Sequence, residues 1–183
     1  MTPWNSSYGA GVVMVPKKKE DGSIKYRITV DFRRLNEKTI TEIWPHPLIT
    51  ENLANLTGCK YFTIVDLLEA FHQIPIHPDD QHKTIFIIPQ GKNAGTYMYQ
   101  YLAMGLKNSA ASFQRFVDGI LHGLQPLIVM AYVDDLIIFS KTIDENITKL
   151  RQVFERLEKA HMSLNLEKCT FAVTEISYLG NVI

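Results

Sequence analysis

Apolar and polar positions follow one another in an order that defines most of the elements of this chain. Val12 to Pro16 and Ile24 to Asp31 read as strands, and Glu20-Asp21-Gly22-Ser23 between them has turn chemistry, so the pair predicts a hairpin. After Pro45 and Pro47, Leu48 to Leu56 predicts a short helix that ends at Gly58. Tyr61 to Val65 is an apolar strand, and His72 to Ile76, Thr84 to Ile88 and Thr96 to Leu102 are strand-like, separated by a turn over Pro78 to Lys83 and a loop over Gly91 to Gly95. Between Asn108 and Leu124 the residues Ala111, Phe113, Phe116, Val117, Ile120, Leu121 and Leu124 recur mostly every three or four positions. That spacing predicts an amphipathic helix, with Ser109 or Asn108 as its cap. Two β-branched runs around Asp134-Asp135 then predict a hairpin carrying carboxylates at its tip. Thr142-x-x-Glu145 is a capping box for a helix with Ile147, Leu150, Phe154, Leu157 and His161 on one face, and Leu164 to Val173 and Ile176 to Ile183 supply two last strands.

With the strand-like segments between His72 and Leu102 set aside, the order from Tyr61 is strand, helix, two strands, helix, strand: a ferredoxin-like split βαβ arrangement in an α+β fold. With 183 residues, 46% hydrophobic and 21% charged, the chain is globular and can bury one core or a core with a smaller lobe. Its formal charge is zero, so it lacks the basic signature of most phosphate-binding proteins. Positive charge is instead concentrated near the N-terminus, in Lys17-Lys18-Lys19, Lys25, Arg27, Arg33 and Arg34. Two cysteines, Cys59 and Cys169, are too few for a disulfide framework and read as buried thiols. Asp134, Asp135 and Pro89 interrupt the longest apolar runs, so no membrane span is expected and the implied compartment is intracellular.

The adjacent aspartates have no use in folding. Like charges between buried strands repel and resist desolvation, and a cation that neutralises them makes the arrangement tolerable. Hard oxygen ligands on a short turn suit Mg²⁺, although an Asp-rich solvated turn is the ordinary alternative. A second strand ends the same way, on Asp66. If the two strands are neighbours in one sheet, Asp66 and Asp134 meet at one edge and can hold two metals about 3.5–4 Å apart, the arrangement for in-line phosphoryl transfer.

Four segments carry a resemblance: Tyr132-Val133-Asp134-Asp135, the strand ending on Asp66, Val30-Asp31-Phe32-Arg33-Arg34-Leu35-Asn36, and Gly105-Leu106-Lys107-Asn108-Ser109. Together and in this order they resemble the motifs of a reverse transcriptase. Phe71-His72-Gln73-Ile74-Pro75-Ile76 and Ser112-Phe113-Gln114-Arg115-Phe116 are most similar to the Pol polyproteins of gypsy-type LTR retrotransposons. The resemblance covers nearly the whole chain. It implies the fingers and palm of a right-hand polymerase, with fingers over about 1–60 and 77–110, palm over about 61–76 and 111–183, and the thumb absent, as in a piece of a longer polyprotein.

The same resemblance implies roles for individual residues. Asp66, Asp134 and Asp135 would be catalytic and hold two Mg²⁺ ions, for which Mn²⁺ can substitute, together with the main-chain carbonyl of Leu67. Lys18 or Lys19 and Arg27 would grip the triphosphate of the incoming deoxynucleotide, faced also by the amides of Glu69 and Ala70. Phe71 would lie under its sugar and collide with a 2′-hydroxyl. The Met104-Gly105 loop would face the nascent base pair; many relatives have Phe or Gln in place of Met104 and Pro in place of Ala110. Tyr132, Leu179 and Gly180 would contact the primer. The implied partners are an RNA or DNA template with a DNA primer, deoxynucleoside triphosphates, and the protease, RNase H and integrase segments of a Pol polyprotein, in a cytoplasmic particle and without a membrane. The implied function is that of an RNA-directed DNA polymerase core. A folded but inactive retroelement remnant that binds nucleic acid or assembles with a partner is the alternative, while the missing GxxxxGK[ST] loop argues against a kinase-like phosphate enzyme.

Overall fold

A computed structural model of the chain describes residues 8–18, 22–45, 55–132, 135–178 and 181–182. In chain order its strands are β1 (Ala10–Lys18), β2 (Ile24–Val30), β3 (Tyr61–Asp66), β4 (Phe86–Ile88), β5 (Gly95–Tyr97), β6 (Val129–Tyr132), β7 (Asp135–Ser140), β8 (Thr170–Val173), β9 (Ser177–Tyr178) and β10 (Asn181–Val182). The helices are α1 (Arg33–Lys38), α2 (Pro78–Gln81), α3 (Ser109–Ile120) and α4 (Ile143–Lys159). Two compact units interleave in sequence, Met1–Glu42 with Phe71–Ser109 and Ile43–Ala70 with Ala110–Ile183.

The first unit holds a sheet in the order β2-β1-β4-β5. β1 and β2 form the expected antiparallel hairpin, from Val12 opposite Val30 to Lys18 opposite Ile24. Its core gathers Val30, Phe32 and Ala103 with Val12, Leu35, Phe86 and Tyr99. The rings of Phe32 and Phe86 lie 6.1 and 5.4 Å from that of Tyr99, at distances typical of favourable aromatic pairs. That core covers only the base of the hairpin: Val30 is 7% exposed, whereas Ile28, two residues away on the same face, is 56% exposed.

The second unit holds a sheet in the order β6-β7-β3-β8, all antiparallel, with α3 leading from β3 into β6 and α4 from β7 into β8. This is the βαββαβ arrangement anticipated from the sequence. β7 lies between two neighbours and is covered on both faces, which is why Leu136 to Ser140 are all buried and Leu136 to Phe139 read as a continuous apolar run. Strand alternation places Phe62, Ile137 and Phe139 on one face, packed with Leu56, Met130 and Ile176, and α4 packs against β3 and β7. A buried polar link ties that helix down. Thr63 Oγ1 donates to Asn146 Oδ1 at 2.7 Å, Asn146 Nδ2 donates to the Tyr61 carbonyl at 3.3 Å, and Ala172 N–H donates to Thr63 Oγ1 at 3.0 Å.

Several elements differ from the pattern-based expectation. The capping box forms, with Thr142 Oγ1 accepting from Glu145 N–H at 3.2 Å, but the buried face of α4 is Asn146, Val153 and Leu157. Ile147 is 50% exposed, and His161 is exposed beyond the helix end. Thr63 requires Asn146 as its buried partner, and this sets the rotation of the helix. Residues 72–76 are not a strand. Ala70–Gln73 forms a 3₁₀ turn, and Pro75, which has no N–H, makes a single bridge to Tyr101. β5 stops at Tyr97, because the amide of Tyr99 donates to the Thr84 hydroxyl (2.9 Å) and not to a ladder carbonyl. Strand structure begins at Thr170 and not at Leu164, since Asn165 to Cys169 form a hydrogen-bonded turn. Both proposed α3 caps make further bonds outside the helix: Ser109 Oγ donates to the Ala103 carbonyl, and Asn108 binds the main chain of Ile40 and Glu42. Most of the 48–56 helix and the tip of the first hairpin lie outside the described residues.

Candidate catalytic carboxylates and nucleotide-facing residues

In the second unit the central strands β3 and β7 run antiparallel in a register that sets Asp66 directly opposite Asp135. Opposed residues of such a pair share one face, with Cβ atoms about 4.5–5.5 Å apart. The same register pairs Tyr132 with Asp135, so two residues, Val133 and Asp134, join β6 to β7. Asp134, Val133 and the side chain of Tyr132 lie outside the described residues. The strands bearing the carboxylates are anchored by Val65, Leu136 and Ile137, each 0% exposed, and this gives their ends a rigid base.

Lys168 was not anticipated from the sequence. Its Nζ donates to Asp66 Oδ2 at 3.4 Å; the lysine side chain is 67% exposed and that of Asp66 15%. No local pattern points to the contact, because 102 residues separate the two. Beyond Asp66, Leu67 is buried and makes an isolated antiparallel bridge to Leu164. The flanking hydrogen bonds run from Asn165 N–H to the Asp66 carbonyl (2.9 Å) and from Leu68 N–H to the Ser163 carbonyl (3.0 Å), so this bridge does not use the Leu67 carbonyl. Glu69 is exposed with φ 45°, and Ala70 is buried at the start of the 3₁₀ turn. Among the described residues no group of three or more His, Cys, Asp or Glu forms a metal cluster, and the expected third carboxylate, Asp134, is outside that set.

The other residues expected from the sequence to face a nucleotide belong to the first unit. Lys18 is the exposed last residue of β1; Lys19 and the side chain of Arg27 lie outside the described residues, although the Arg27 main chain pairs with Val15. Phe71 is half-buried and Met104 is 43% exposed. Gly105 has φ +90°, a conformation that a side chain would strain. Its loop is clamped by Asn36, whose Nδ2 donates to the Gly105 carbonyl and whose Oδ1 accepts from Lys107 N–H, both at 2.8 Å. Asn36 is thus a second residue whose part was not visible in the sequence.

Asp31 caps the turn into α1. It accepts Arg33 N–H at 3.1 Å and a two-pronged contact from the guanidinium, Nε at 2.9 Å and Nη2 at 2.7 Å. These bonds hold its pKa at about 2, below the ordinary 3.8. A depressed folded-state value means that the contribution is complete above pH 3.8 and is lost as pH falls toward 2. A carboxyl NMR titration should place the Asp31 midpoint near 2 and return it toward 3.8 in Arg33→Ala; a midpoint near 3.8 in the unaltered chain would refute the pairing.

The family model described as reverse transcriptase (RNA-dependent DNA polymerase) matches residues 15–183. The chain belongs to the reverse transcriptase family. Curated relatives include the retrovirus-related Pol polyproteins of the Drosophila melanogaster transposons opus (42% identical over 99% of this chain) and gypsy (37% over 99%). The chain spans less than a fifth of their length, 18% and 17%. Among solved reverse transcriptases, the prototype foamy virus protease-reverse transcriptase is 28% identical with a TM-score of 0.83, covering 100% of this chain and 24% of that one. The foamy viral enzyme in complex with an RNA/DNA hybrid is 26% identical with a TM-score of 0.79, covering 94% of this chain and 22% of that one. These matches support the α+β reading and the likeness to gypsy-type retrotransposons. Among the described residues no helix is long and apolar enough to cross a membrane.

Proposed function

We propose that this chain is the core of an RNA-directed DNA polymerase that adds deoxynucleotides to a primer 3′-hydroxyl by two-metal phosphoryl transfer. The observation that carries the reading is the register of β3 and β7, which sets Asp66 opposite Asp135 at the end of a buried sheet, three residues from Tyr132. Asp66, Asp134 and Asp135, with the Leu67 carbonyl, are a set of hard oxygen donors that suits Mg²⁺. When bound, two such ions lower the pKa of the attacking hydroxyl and stabilise the leaving pyrophosphate. Asp66 and Asp135 provide the negative charge that holds them, on strands that do not need to move. Lys168 supplies a positive charge beside Asp66.

In this reading the first unit is the fingers and the second the palm. The compact units divide the chain after residues 42, 70 and 109, whereas the partition drawn on the sequence divides it after about 60, 76 and 110. Lys18 or Lys19 and Arg27 bind the triphosphate as point charge and bidentate fork, with the Glu69 and Ala70 amides as further donors. Met104 and Gly105 face the new base pair, and Tyr132, Leu179 and Gly180 contact the primer; Leu179 and Gly180 lie outside the described residues. Template and primer are assigned because the foamy viral relatives are solved with double-stranded DNA and with an RNA/DNA hybrid. The relatives are named Pol polyproteins and the foamy viral ones protease-reverse transcriptases, which supports accompanying polyprotein segments; RNase H and integrase segments and an intracellular, cytoplasmic particle are proposed on the resemblance alone.

Mg²⁺-dependent extension of a DNA primer on an RNA template, with Asp134→Asn alongside, tests this function. Extension by the unaltered chain and loss of it in the variant is the expected result. Nucleic-acid binding without metal-dependent extension, in this chain and in a longer polyprotein segment, would instead establish an inactive remnant.

A further inference from the structure

Asp66 ends β3 where its pairing with β8 has already lapsed: the two strands meet at Phe62 opposite Val173 and Ile64 opposite Thr170, with an irregular register between. On this side the main-chain groups of Asp66 need other partners, and the turn from Asn165 to Cys169 supplies both. Asn165 N–H donates to the Asp66 carbonyl at 2.9 Å, and Asp66 N–H donates to Cys169 Sγ at 3.4 Å. A thiol therefore stands where a regular ladder would offer a carbonyl. The turn is fixed in its own right, since the amides of Lys168 and Cys169 return to the Asn165 carbonyl at 3.1 and 3.2 Å. The thiol donates to that same carbonyl at 3.3 Å. Cys169 thus both accepts and donates, and it is half-buried and not disulfide-bonded. Cys59, the other free thiol, packs against the apolar cluster of Leu56 and Phe62, and burial pushes its pKa up.

We propose that Cys169 is a positioning residue for Asp66. With the N–H and C=O of Asp66 both held by one rigid turn, the direction of its Cα–Cβ bond, and hence of its carboxylate, is fixed before any ion arrives. The proposal rests on the reading of Asp66 as a metal-holding carboxylate. Outer partners that orient a ligand in this way typically change metal affinity or activity by about 10–100-fold when removed.

The test uses the full chain with Cys169→Ala, Cys169→Val and Cys169→Ser. Mn²⁺ binding is followed by electron paramagnetic resonance without nucleotide or primer, and exchange of the Asp66 amide by NMR. Both apolar variants should bind Mn²⁺ about tenfold more weakly, lower kcat about as much with an unchanged KM for deoxynucleotide, and exchange the Asp66 amide faster. Serine, which keeps an acceptor and a donor, should recover most of each loss. Cys59→Ala should leave Mn²⁺ affinity unchanged. If alanine abolishes the thermal transition, valine carries the same comparison at nearly constant volume. Parental Mn²⁺ affinity and parental Asp66 exchange in a folded apolar variant would overturn the positioning role. Failure of the unaltered chain to bind Mn²⁺ would overturn the reading of Asp66 itself, a distinguishable result.

Discussion

Asp66→Asn is expected to lower the rate of single-nucleotide extension by about three orders of magnitude, since metal-assisted charge stabilisation contributes several kcal/mol and each 1.36 kcal/mol is tenfold. Asparagine keeps the size and planarity of the side chain and removes only its charge. Folding should be spared. The one ion pair described for Asp66 is to Lys168, at 3.4 Å, and that lysine is 67% exposed and stays solvated when the charge opposite it is removed. Asp66 and its opposite residue Asp135 stand at the end of a strand pair whose burial is supplied by Val65, Leu136 and Ile137, and none of these contacts involves the carboxylate. The measurement is pre-steady-state extension at saturating Mg²⁺, with the thermal midpoint recorded on the same preparation. A rate within tenfold of the parent, in a protein of parental midpoint, would remove Asp66 from the chemistry.

The parts of this site that were legible in the sequence are those written in local patterns. An apolar strand ending on Asp66 and an Asp134-Asp135 pair between two apolar runs were visible as local patterns, whereas the register that sets Asp135 opposite Asp66 was not, and the order of strands and helices gave the palm-like sheet before its pairing was known. The less legible parts depend on partners far away in sequence. Asn146 reads as a solvent-facing helix residue until Thr63, 83 residues earlier, is seen to need it; the polar pair then overrides the apolar stripe that included Ile147. Asn36 holds Gly105 across 69 residues, and Cys169 holds Asp66 across 103. Cys169 sits in a turn, which has no period, and Asn36 and Asn146 sit on helices whose spacing says nothing of a partner far away in sequence, so these hydrogen bonds cannot be read from spacing. Pro75 is a different case: its missing N–H was visible in the sequence, and the alternation around it masked its consequence for the ladder.

Phe71→Val is expected to relax sugar selection. The ring sits in the 3₁₀ turn Ala70–Gln73, half-buried, five residues after the strand end that carries Asp66. Its proposed role is steric: an aromatic edge under the nucleotide sugar leaves no room for a 2′-hydroxyl. A pocket that discriminates against one added hydroxyl in this way achieves about a hundredfold, so valine should raise ribonucleotide incorporation relative to deoxynucleotide by about that factor. The change should appear mainly in kcat/KM for the ribonucleotide, because the bulk that valine removes touches only the analogue bearing the hydroxyl. Phe71→Tyr keeps the bulk and should keep the selection. These two variants separate the steric role from a packing role: a ring needed only for the core would leave the ratio of the two sugars unchanged in valine while lowering both rates together. Equal ratios in valine, tyrosine and the parent would therefore assign Phe71 to packing and leave sugar selection to another residue.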